Sequence, residues 1–476
     1  MTLQRRHLAV SAVFVGLCAA AAALTGFALS DDSRPLEQKF VHNDRLGSVA
    51  VDVPAGDPRA FVFLLSDAGG LDRQTQRMAE NLVAQGAVVV PLSTPAVLAR
   101  LDATTPSDCH YALGLFEEIS QEAQRALDVA TYRWPVILGV GEGGTLAYLA
   151  QAQAPPNTSA GAVSIGFAPT LRTHLPLCGQ AATKSANGSY DYQPAKSLPG
   201  RWIAVANGAA DQALAGFAGA GANGEIRPVA GGPQARLLAA EKATFEIADG
   251  AAGLEADALP VEELPAKGAD TLVVFYSGDG GWRDIDKRIS DYLNSRGVAV
   301  LGVDSLRYFW RKKSPEEIGT DLDRLIADYA KRWGTHRVAL VGYSMGASIL
   351  PFAWDNLSSE NRQETKLIAL LSLDPEASFE VSISGYLGID SSSDVAIGPT
   401  AKELPHDKVM CFFGAEERSP SDSGCLTPEL RGATLIERPG GHHFDGDYEP
   451  IAAMILDRLK PVDAAADLPA AASTHS

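Results

Sequence analysis

The 476-residue chain contains the same succession of segments twice, and this repeat constrains its fold more than any other feature. Residues 61–70 (FVFLLSDAGG) resemble residues 272–281 (LVVFYSGDGG), and residues 136–143 resemble residues 338–346. Later matches keep the same order along the two halves. Each copy has the pattern of a strand, a glycine turn, a helix and another strand, so an internal duplication is the simplest account.

Both copies alternate apolar runs rich in Val, Ile and Leu with segments of helical periodicity. This alternation is typical of a mostly parallel β-sheet with helices on both faces. We therefore predict an α/β fold with two tandem domains, each a mostly parallel sheet with helices on both faces, at residues 38–247 and 260–461. The Ala- and Gly-rich composition between them predicts a linker at residues 248–259. A disordered tail is predicted at residues 462–476.

Residues 1–30 have the order of an export signal. Arg5 and Arg6 precede an apolar run from Leu8 to Leu24, and small residues follow. This order predicts a signal peptide and an exported protein, with an uncleaved membrane anchor as the alternative. The formal net charge of −18 disfavours nucleic acid and anionic membrane surfaces as direct partners, and it favours a cationic partner or substrate.

Four cysteines follow the export signal, and an even number in an oxidising compartment favours pairing. If each half keeps its own pair, Cys109 is bonded to Cys178 and Cys411 to Cys425. The alternative is four buried free thiols.

The segment Gly-Tyr-Ser-Met-Gly at residues 342–346 follows an apolar run and precedes a helix-like segment. In this context a Gly-x-Ser-x-Gly string forms a nucleophile elbow, a strained turn that exposes the serine hydroxyl. Glycines on both sides remove Cβ atoms where strand and helix crowd together. Ser344 is therefore the predicted nucleophile, and the two tandem domains are predicted to be α/β-hydrolase-like. The alternative is a glycine turn that exists for packing alone.

A serine nucleophile needs a base with a pKa near neutrality, and a pair of histidines follows the glycine pair at residues 440–441. The chain order Ser, acid, His of this architecture points to His442, with His443 as the alternative. The competing interpretations are a surface histidine pair or, with Asp445, a metal site.

The acid of a catalytic triad is expected in the polar loop that follows the strand ending at Gly414. Glu417, the third residue after that glycine, is the predicted acid. Glu416 and Asp422 are the alternatives, since charged loop residues are more often solvated than catalytic.

The oxyanion of an acyl-transfer reaction needs backbone donors. The predicted donors are the N–H groups of Met345 and of Asp279, the latter in the turn at residues 277–282. A phosphate-binding loop competes for that turn, but no Lys-Ser/Thr pair follows, which disfavours a nucleotide site. The sequence predicts no cofactor and no metal.

The N-terminal copy lacks the residues that this chemistry requires. Gly141 stands at the nucleophile position, and Pro233 followed by Gln234 stands at the histidine position. Asp211, at the position of the acid, cannot act alone. The first half is therefore predicted to be a degenerate hydrolase fold that covers, docks or partners the active half.

These segments resemble the AcvB/VirJ family of bacterial periplasmic virulence proteins. The turn at 277–282, the elbow at Ser344, the segment 411–425 and the segment 440–444 resemble the shared VirJ-type domain. The extra N-terminal half makes the chain more similar to AcvB. The resemblance implies a periplasmic hydrolase that acts on an aminoacylated phospholipid, lysyl-phosphatidylglycerol. It also implies peripheral contact with the membrane surface and effects on membrane lipid homeostasis and virulence.

A lysyl ester carries two ammonium groups, which an acidic protein can bind. Our hypothesis is that Asp279 or Asp304, with Tyr308 and Trp310, contacts this cationic acyl group. The alternative is that both aromatic residues only pack their loop. At the level of the whole protein, the alternatives are a non-catalytic binding or assembly factor for exported periplasmic proteins, or an esterase or thioesterase of other specificity.

Overall fold

A computed structural model describes residues 37–104, 108–155, 157–207, 212–219, 223–252, 259–381 and 394–460. The predicted signal peptide at residues 1–30 and the predicted tail at residues 462–476 lie outside these ranges. The chain divides into two compact units, residues 1–37 and 38–476, so almost all of the described structure belongs to the second unit.

The N-terminal half is an α/β structure. Its strands are β1 (Glu37–Asn43), β2 (Gly47–Val53), β3 (Ala60–Leu65), β4 (Ala87–Leu92), β5 (Val136–Val140), β6 (Gly161–Ile165), β7 (Thr170–Leu171), β8 (Ala182–Lys184), β9 (Tyr190–Tyr192), β10 (Arg201–Asn207) and β11 (Gly224–Val229). Its helices are α1 (Arg73–Ala84), α2 (Thr94–Thr104), α3 (Ala112–Ala126), α4 (Glu142–Gln153), α5 (Gln212–Gly219) and α6 (Pro233–Ala252). The main sheet has the order β1-β2-β4-β3-β5-β6-β10-β11, and β7, β9 and β8 form a small separate sheet.

The C-terminal half repeats this plan. Its strands are β12 (Val261–Leu264), β13 (Thr271–Tyr276), β14 (Ala299–Val303), β15 (Arg337–Tyr343), β16 (Thr365–Leu371), β17 (Glu376–Ala377), β18 (Val395–Ala396), β19 (Val409–Gly414) and β20 (Thr434–Arg438). Its helices are α7 (Ile285–Asn294), α8 (Ser305–Tyr308), α9 (Pro315–Trp333), α10 (Met345–Trp354), α11 (Ser359–Glu364), α12 (Gly398–Ala401) and α13 (Glu449–Leu459). Short 3-10 helices lie at His406–Lys408, Gly424–Leu426, Pro428–Leu430 and Phe444–Gly446.

The two main sheets have the same topology. The second sheet has the order β12-β14-β13-β15-β16-β19-β20, which matches the first sheet without its edge strand β1. In each sheet one antiparallel strand, β2 or β12, precedes a run of parallel strands. This arrangement confirms the prediction of an α/β fold with tandem hydrolase-like sheets.

Burial explains why these segments form central strands. Every residue of β3 and of β13 is buried, as expected for a parallel sheet covered on both faces. One face of the second sheet packs on α9 and α10 and the other on α7 and α13. The core that includes α9 and α10 also contains Tyr132 of the N-terminal half, so the two halves share apolar packing.

The predicted linker at residues 248–259 is partly wrong, because helix α6 extends into it. The helix continues to Ala252, so residues 248–252 are helical, and residues 253–258 lie outside the described ranges. Leu237, Ala240, Thr244 and Ile247 are buried at helical spacing. The alanine-rich composition that suggested a linker instead allows a close-packed helix, since alanine has the highest helix propensity.

Among the described helices, none combines the length and the hydropathy that a membrane span requires.

Candidate active site

Ser344 lies in a strained turn between β15 and α10. Its backbone has φ 51° and ψ −117°, a conformation that residues with a Cβ rarely adopt. A Cβ on Gly342 would lie 2.3 Å from the carbonyl oxygen of Gly346, and one on Gly346 would lie 2.2 Å from that of Tyr276. The turn therefore has the geometry expected of a nucleophile elbow.

Ser344, His442 and Glu417 form one chain of polar contacts. Nε2 of His442 lies 2.9 Å from Oγ of Ser344, and its Nδ1 lies 3.3 Å from Oε1 of Glu417. The other carboxylate oxygen of Glu417 accepts a hydrogen bond from the N–H of Gly414 at 2.8 Å. Because β15, β19 and β20 are parallel strands of one sheet, the loops that follow them meet at its carboxyl edge.

The electrostatic surroundings favour a protonated His442. Burial alone would lower the pKa of His442, but the hydrogen bond to Glu417 and the negative charges of Asp374, Glu417 and Asp279 raise it above its ordinary value. An imidazole with these neighbours can accept a proton from the serine and remain stable as the cation.

The alternative residues occupy other positions. Nδ1 of His443 lies 2.8 Å from the hydroxyl of Tyr343. Asp422 is exposed and accepts a hydrogen bond from the N–H of Arg418. Glu416 is also exposed, while Glu417 contacts His442. The described residues contain no group of three His, Cys, Asp or Glu side chains that could hold a metal, which disfavours the alternative with Asp445.

Asp374 is a residue of the site that the sequence reasoning missed. It follows β16, the strand between β15 and β19, and burial raises its pKa to about 6 against the opposing effect of His442. Its N–H contacts Oγ of Ser348 at 3.3 Å. The available signal was an aspartate placed just after the apolar run Leu367–Leu371 of β16, at the same edge of the sheet as the elbow.

In the N-terminal copy, the N–H groups at the positions of the two predicted oxyanion donors share one acceptor. Gly141 has φ 55° and ψ −121°, close to the backbone angles of Ser344. Oδ1 of Asp67 accepts hydrogen bonds from the N–H of Ala68 at 2.7 Å and of Glu142 at 3.0 Å. A carboxylate oxygen thus occupies the point on which the two equivalent N–H groups of this half converge.

In the C-terminal half these two donors are open. Gly278 aligns with Asp67, and Asp279 and Met345 align with Ala68 and Glu142. Within the described part of the chain, the N–H groups of Asp279 and Met345 have no hydrogen-bond acceptor. They are therefore available to an oxygen that develops negative charge next to Ser344.

Residues 270–463 match the family model of the bacterial virulence protein VirJ. The elbow, His442 and Glu417 all lie within this VirJ-like segment. No curated protein matches the chain.

Solved structures of similar fold cover somewhat under half of the chain. They include Est1E from Butyrivibrio proteoclasticus, with 15% identity, a TM-score of 0.30, and coverage of 43% of this chain and 97% of that chain. MenH from S. aureus has 14% identity, a TM-score of 0.31 and coverage of 42% and 97%. The Pyrococcus furiosus esterase Pf2001 has 13% identity, a TM-score of 0.31 and coverage of 42% and 92%.

Both predicted disulfides are present. Cys411 is bonded to Cys425, which links strand β19 to the 3-10 helix Gly424–Leu426. The loop that carries Glu417 lies between these two points. Cys109 is bonded to Cys178 in the N-terminal half.

The predicted substrate contacts of Tyr308 and Trp310 are corrected. The hydroxyl of Tyr308 donates to Asp321, and the indole N–H of Trp310 donates to the carbonyl oxygen of Val129 in the N-terminal half. Trp310 is only 1% exposed, and its ring lies 4.9 Å from that of Tyr132. Both aromatic residues of the VirJ-like segment therefore stabilise packing and present no surface to a ligand.

Asp304 is likewise engaged inside the protein. It is 3% exposed and caps α8, where its Oδ1 accepts a hydrogen bond from the N–H of Arg307 at 3.3 Å. Of the two carboxylates predicted to bind the acyl group, only Asp279 remains partly exposed at the site.

Proposed function

We propose that this protein is a periplasmic serine hydrolase that cleaves the lysyl ester of lysyl-phosphatidylglycerol. The observation that carries the proposal is the contact chain from Ser344 through His442 to Glu417, next to two open N–H groups. A nucleophile, a base and an orienting carboxylate in this arrangement are suited to acyl transfer.

The geometry supports a two-step reaction. His442 takes the proton of Ser344 as Oγ attacks the ester carbonyl, and the N–H groups of Asp279 and Met345 stabilise the resulting oxyanion. The C–O bond of the ester then breaks, and His442 gives its proton to the departing glycerol hydroxyl. His442 then takes a proton from water as the water oxygen attacks the carbonyl of the lysyl-enzyme. The bond from that carbonyl carbon to Oγ breaks, His442 returns the proton to Oγ of Ser344, and lysine is released.

The charge around the site supports a cationic acyl group. Asp374 and Asp279 both lie close enough to influence the pKa of His442, and the whole chain has a formal net charge of −18. Carboxylates near the reacting carbonyl can hold the ammonium groups of a lysyl ester. The match of residues 270–463 to the VirJ family supports the proposal only through the resemblance to the AcvB/VirJ family, which implies this substrate.

The disulfides support the proposed location. Two cystines form in the described structure, and such bonds persist in oxidising compartments such as the bacterial periplasm. The pattern of residues 1–30 is in keeping with export. Access to a lipid substrate then requires peripheral contact with the membrane surface.

A fluorophosphonate probe tests the catalytic machinery. We expect the probe to label Ser344 in the purified protein, and we expect His442→Ala to abolish labelling. His443→Ala is the matched control, because it removes the neighbouring imidazole and leaves the contact of His442 with Ser344 in place. An unlabelled Ser344 would favour the non-catalytic assembly factor, and equal loss in both variants would contradict the choice of His442.

Lipid extracts test the substrate. Cells that produce lysyl-phosphatidylglycerol should contain less of it when they express the wild-type protein than when they express Ser344→Ala. Equal lysyl-lipid levels, with Ser344 labelled by the probe, would reject this substrate and leave an esterase or thioesterase of other specificity.

A further inference from the structure

We infer that the N-terminal half is a positioning domain for the turn that carries the oxyanion donor, and that Glu117 and Asn157 exert this control. The inference rests on the proposed function, because the turn matters only if Asp279 donates to an oxyanion. It gives the degenerate half a role in the reaction of the other half.

The first contact is an ion pair. Arg283 directly follows the turn, and its Nη1 donates to Oε1 of Glu117 on α3 at 2.6 Å. Only 18% of the Arg283 side chain and 11% of the Glu117 side chain are exposed. Loss of one partner from such a shielded pair leaves the other charge without compensation, so the pair holds both groups in place.

Arg283 transmits this contact to the turn itself. A Cβ on Gly280 would lie 2.3 Å from Nη2 of Arg283, so the guanidinium lies directly against the backbone of that glycine. Gly280 is the residue after Asp279, whose N–H is the proposed donor. A shift of the guanidinium therefore displaces the peptide next to the donor.

The second contact holds the neighbouring residue. Nδ2 of Asn157, in the loop after α4, donates to the carbonyl oxygen of Trp282 at 3.3 Å. The Trp282 ring covers Gly302, where a Cβ would lie 2.4 Å from it, and packs edge-on against Phe275. The N-terminal half thus contacts the last residue of the turn, Trp282, and the residue that follows it, Arg283.

A hydrogen bond within the turn makes it a rigid unit. The N–H of Gly281 donates to the carbonyl oxygen of Gly278 at 3.1 Å. Contacts at residues 282 and 283 therefore set the direction of the Asp279 N–H.

The N-terminal copy shows why an external support is needed. There the carboxylate of Asp67 binds both donor N–H groups and fixes the turn, and the following residue, Leu71, is exposed. In the active half Gly278 stands at the position of Asp67. No carboxylate from this position then binds the two donor N–H groups or fixes the turn. The contacts from the other half supply the missing constraint.

The test uses the full chain with p-nitrophenyl butyrate as substrate and the fluorophosphonate as probe. Glu117→Gln keeps the shape of the side chain and removes its charge, and Asn157→Gly keeps the positive φ of 63° at that position. We expect each variant to lower kcat and the labelling rate about tenfold, with KM within about twofold of wild type, because only oxyanion stabilisation is affected. Asp128→Asn is the control, since Asp128 pairs with Arg311 between the two halves but not at the turn.

The outcomes separate this inference from the proposed function. An active wild-type enzyme with kcat unchanged in Glu117→Gln and Asn157→Gly overturns the positioning role alone, as does an equal loss in Asp128→Asn. A wild-type protein that neither hydrolyses the ester nor reacts with the probe overturns both. If Glu117→Gln has a lowered melting temperature, Asn157→Gly, which removes no charge, decides between the results.

Discussion

Gly141 and Ser344 hold almost the same backbone conformation at corresponding points of the two halves. The residue that faces this position differs between the two halves. Asp67 places a carboxylate at the donor N–H groups of the first half, and a Cβ on Gly141 would lie 1.9 Å from its Oδ1. In the second half Gly278 leaves that space open. At the scale of single residues, the two turns therefore differ by two exchanges, and His442 has no counterpart in the first half either, since Pro233 and Gln234 stand at its position.

The role of Glu417 gives a pH-dependent prediction. Its hydrogen bond and charge raise the pKa of His442, and the reaction needs neutral His442 as the base. Glu417→Gln should therefore lower the pKa of His442 and move the acid limb of the kcat/KM profile to lower pH. Because the amide also orients the imidazole poorly, kcat should fall about 10²- to 10⁴-fold. The measurement is a pH–rate profile with a neutral ester.

The two alternative acids serve as controls for Glu417. Asp422→Asn and Glu416→Gln alter exposed carboxylates of the same loop and should leave the profile close to that of the wild type. A large loss of kcat in either variant, with Glu417→Gln active, would show that the residue replaced in that variant is the acid.

At the scale of elements, the loop that carries Glu417 lies between two cysteines that form a disulfide. The bond from Cys411 to Cys425 spans a sequence separation of 14 residues, and both cysteines are fully buried. Closing a loop of this length reduces the entropy of the unfolded chain. The 3-10 helix Gly424–Leu426 is thereby held against β19, and the loop with Glu417 is restrained at both ends.

Removal of this disulfide should destabilise the protein. Cys411→Ser with Cys425→Ser is expected to lower the free energy of unfolding by about 3 kcal/mol. Urea denaturation of the double variant and of the wild type gives the comparison. The matched pair, Cys109→Ser with Cys178→Ser, lies in the other half and should reduce kcat less than loss of the bond next to the Glu417 loop. Equal kcat in both double variants would show that the loop needs no restraint.

At the scale of the whole molecule, the two halves are joined by contacts around Trp310, a residue that the sequence analysis assigned to substrate binding. Trp310 donates to the carbonyl oxygen of Val129, and the guanidinium of Arg125 lies 3.9 Å above its ring. Arg125 also contacts Glu380 and the carbonyl oxygen of Val381. These contacts make Trp310 a central element of the packing between the two halves.

Trp310→Ala separates packing from substrate binding. We expect it to lower stability by about 3–5 kcal/mol, because a large buried ring is lost. The ratio of kcat/KM for a lysyl ester to that for an uncharged acyl ester should not change. Thermal unfolding and the two assays measure these effects. An altered ratio with an unchanged melting temperature would show that Trp310 contacts the acyl group of the substrate.

The sequence alone determined the elements with local signatures. Apolar runs and glycine turns predicted the two α/β sheets, and the Gly-x-Ser-x-Gly string predicted the elbow, because a strand followed by a tight glycine turn is specified by neighbouring residues. The glycine pair before His442 and the spacing after Gly414 likewise singled out His442 and Glu417, which contact each other next to Ser344. The cystine pairings followed from keeping each pair within one half.

Tertiary structure decided what depends on distant segments. Asp374 joins the site because β16 lies beside β15, and Trp310 is buried because the N-terminal half covers it. The helical end of α6 depends on the sheet it packs against, and the support of the Asp279 turn depends on Glu117, far away in the chain. Local patterns carry no information on which surfaces meet, since these contacts form only when segments far apart in the sequence fold against each other.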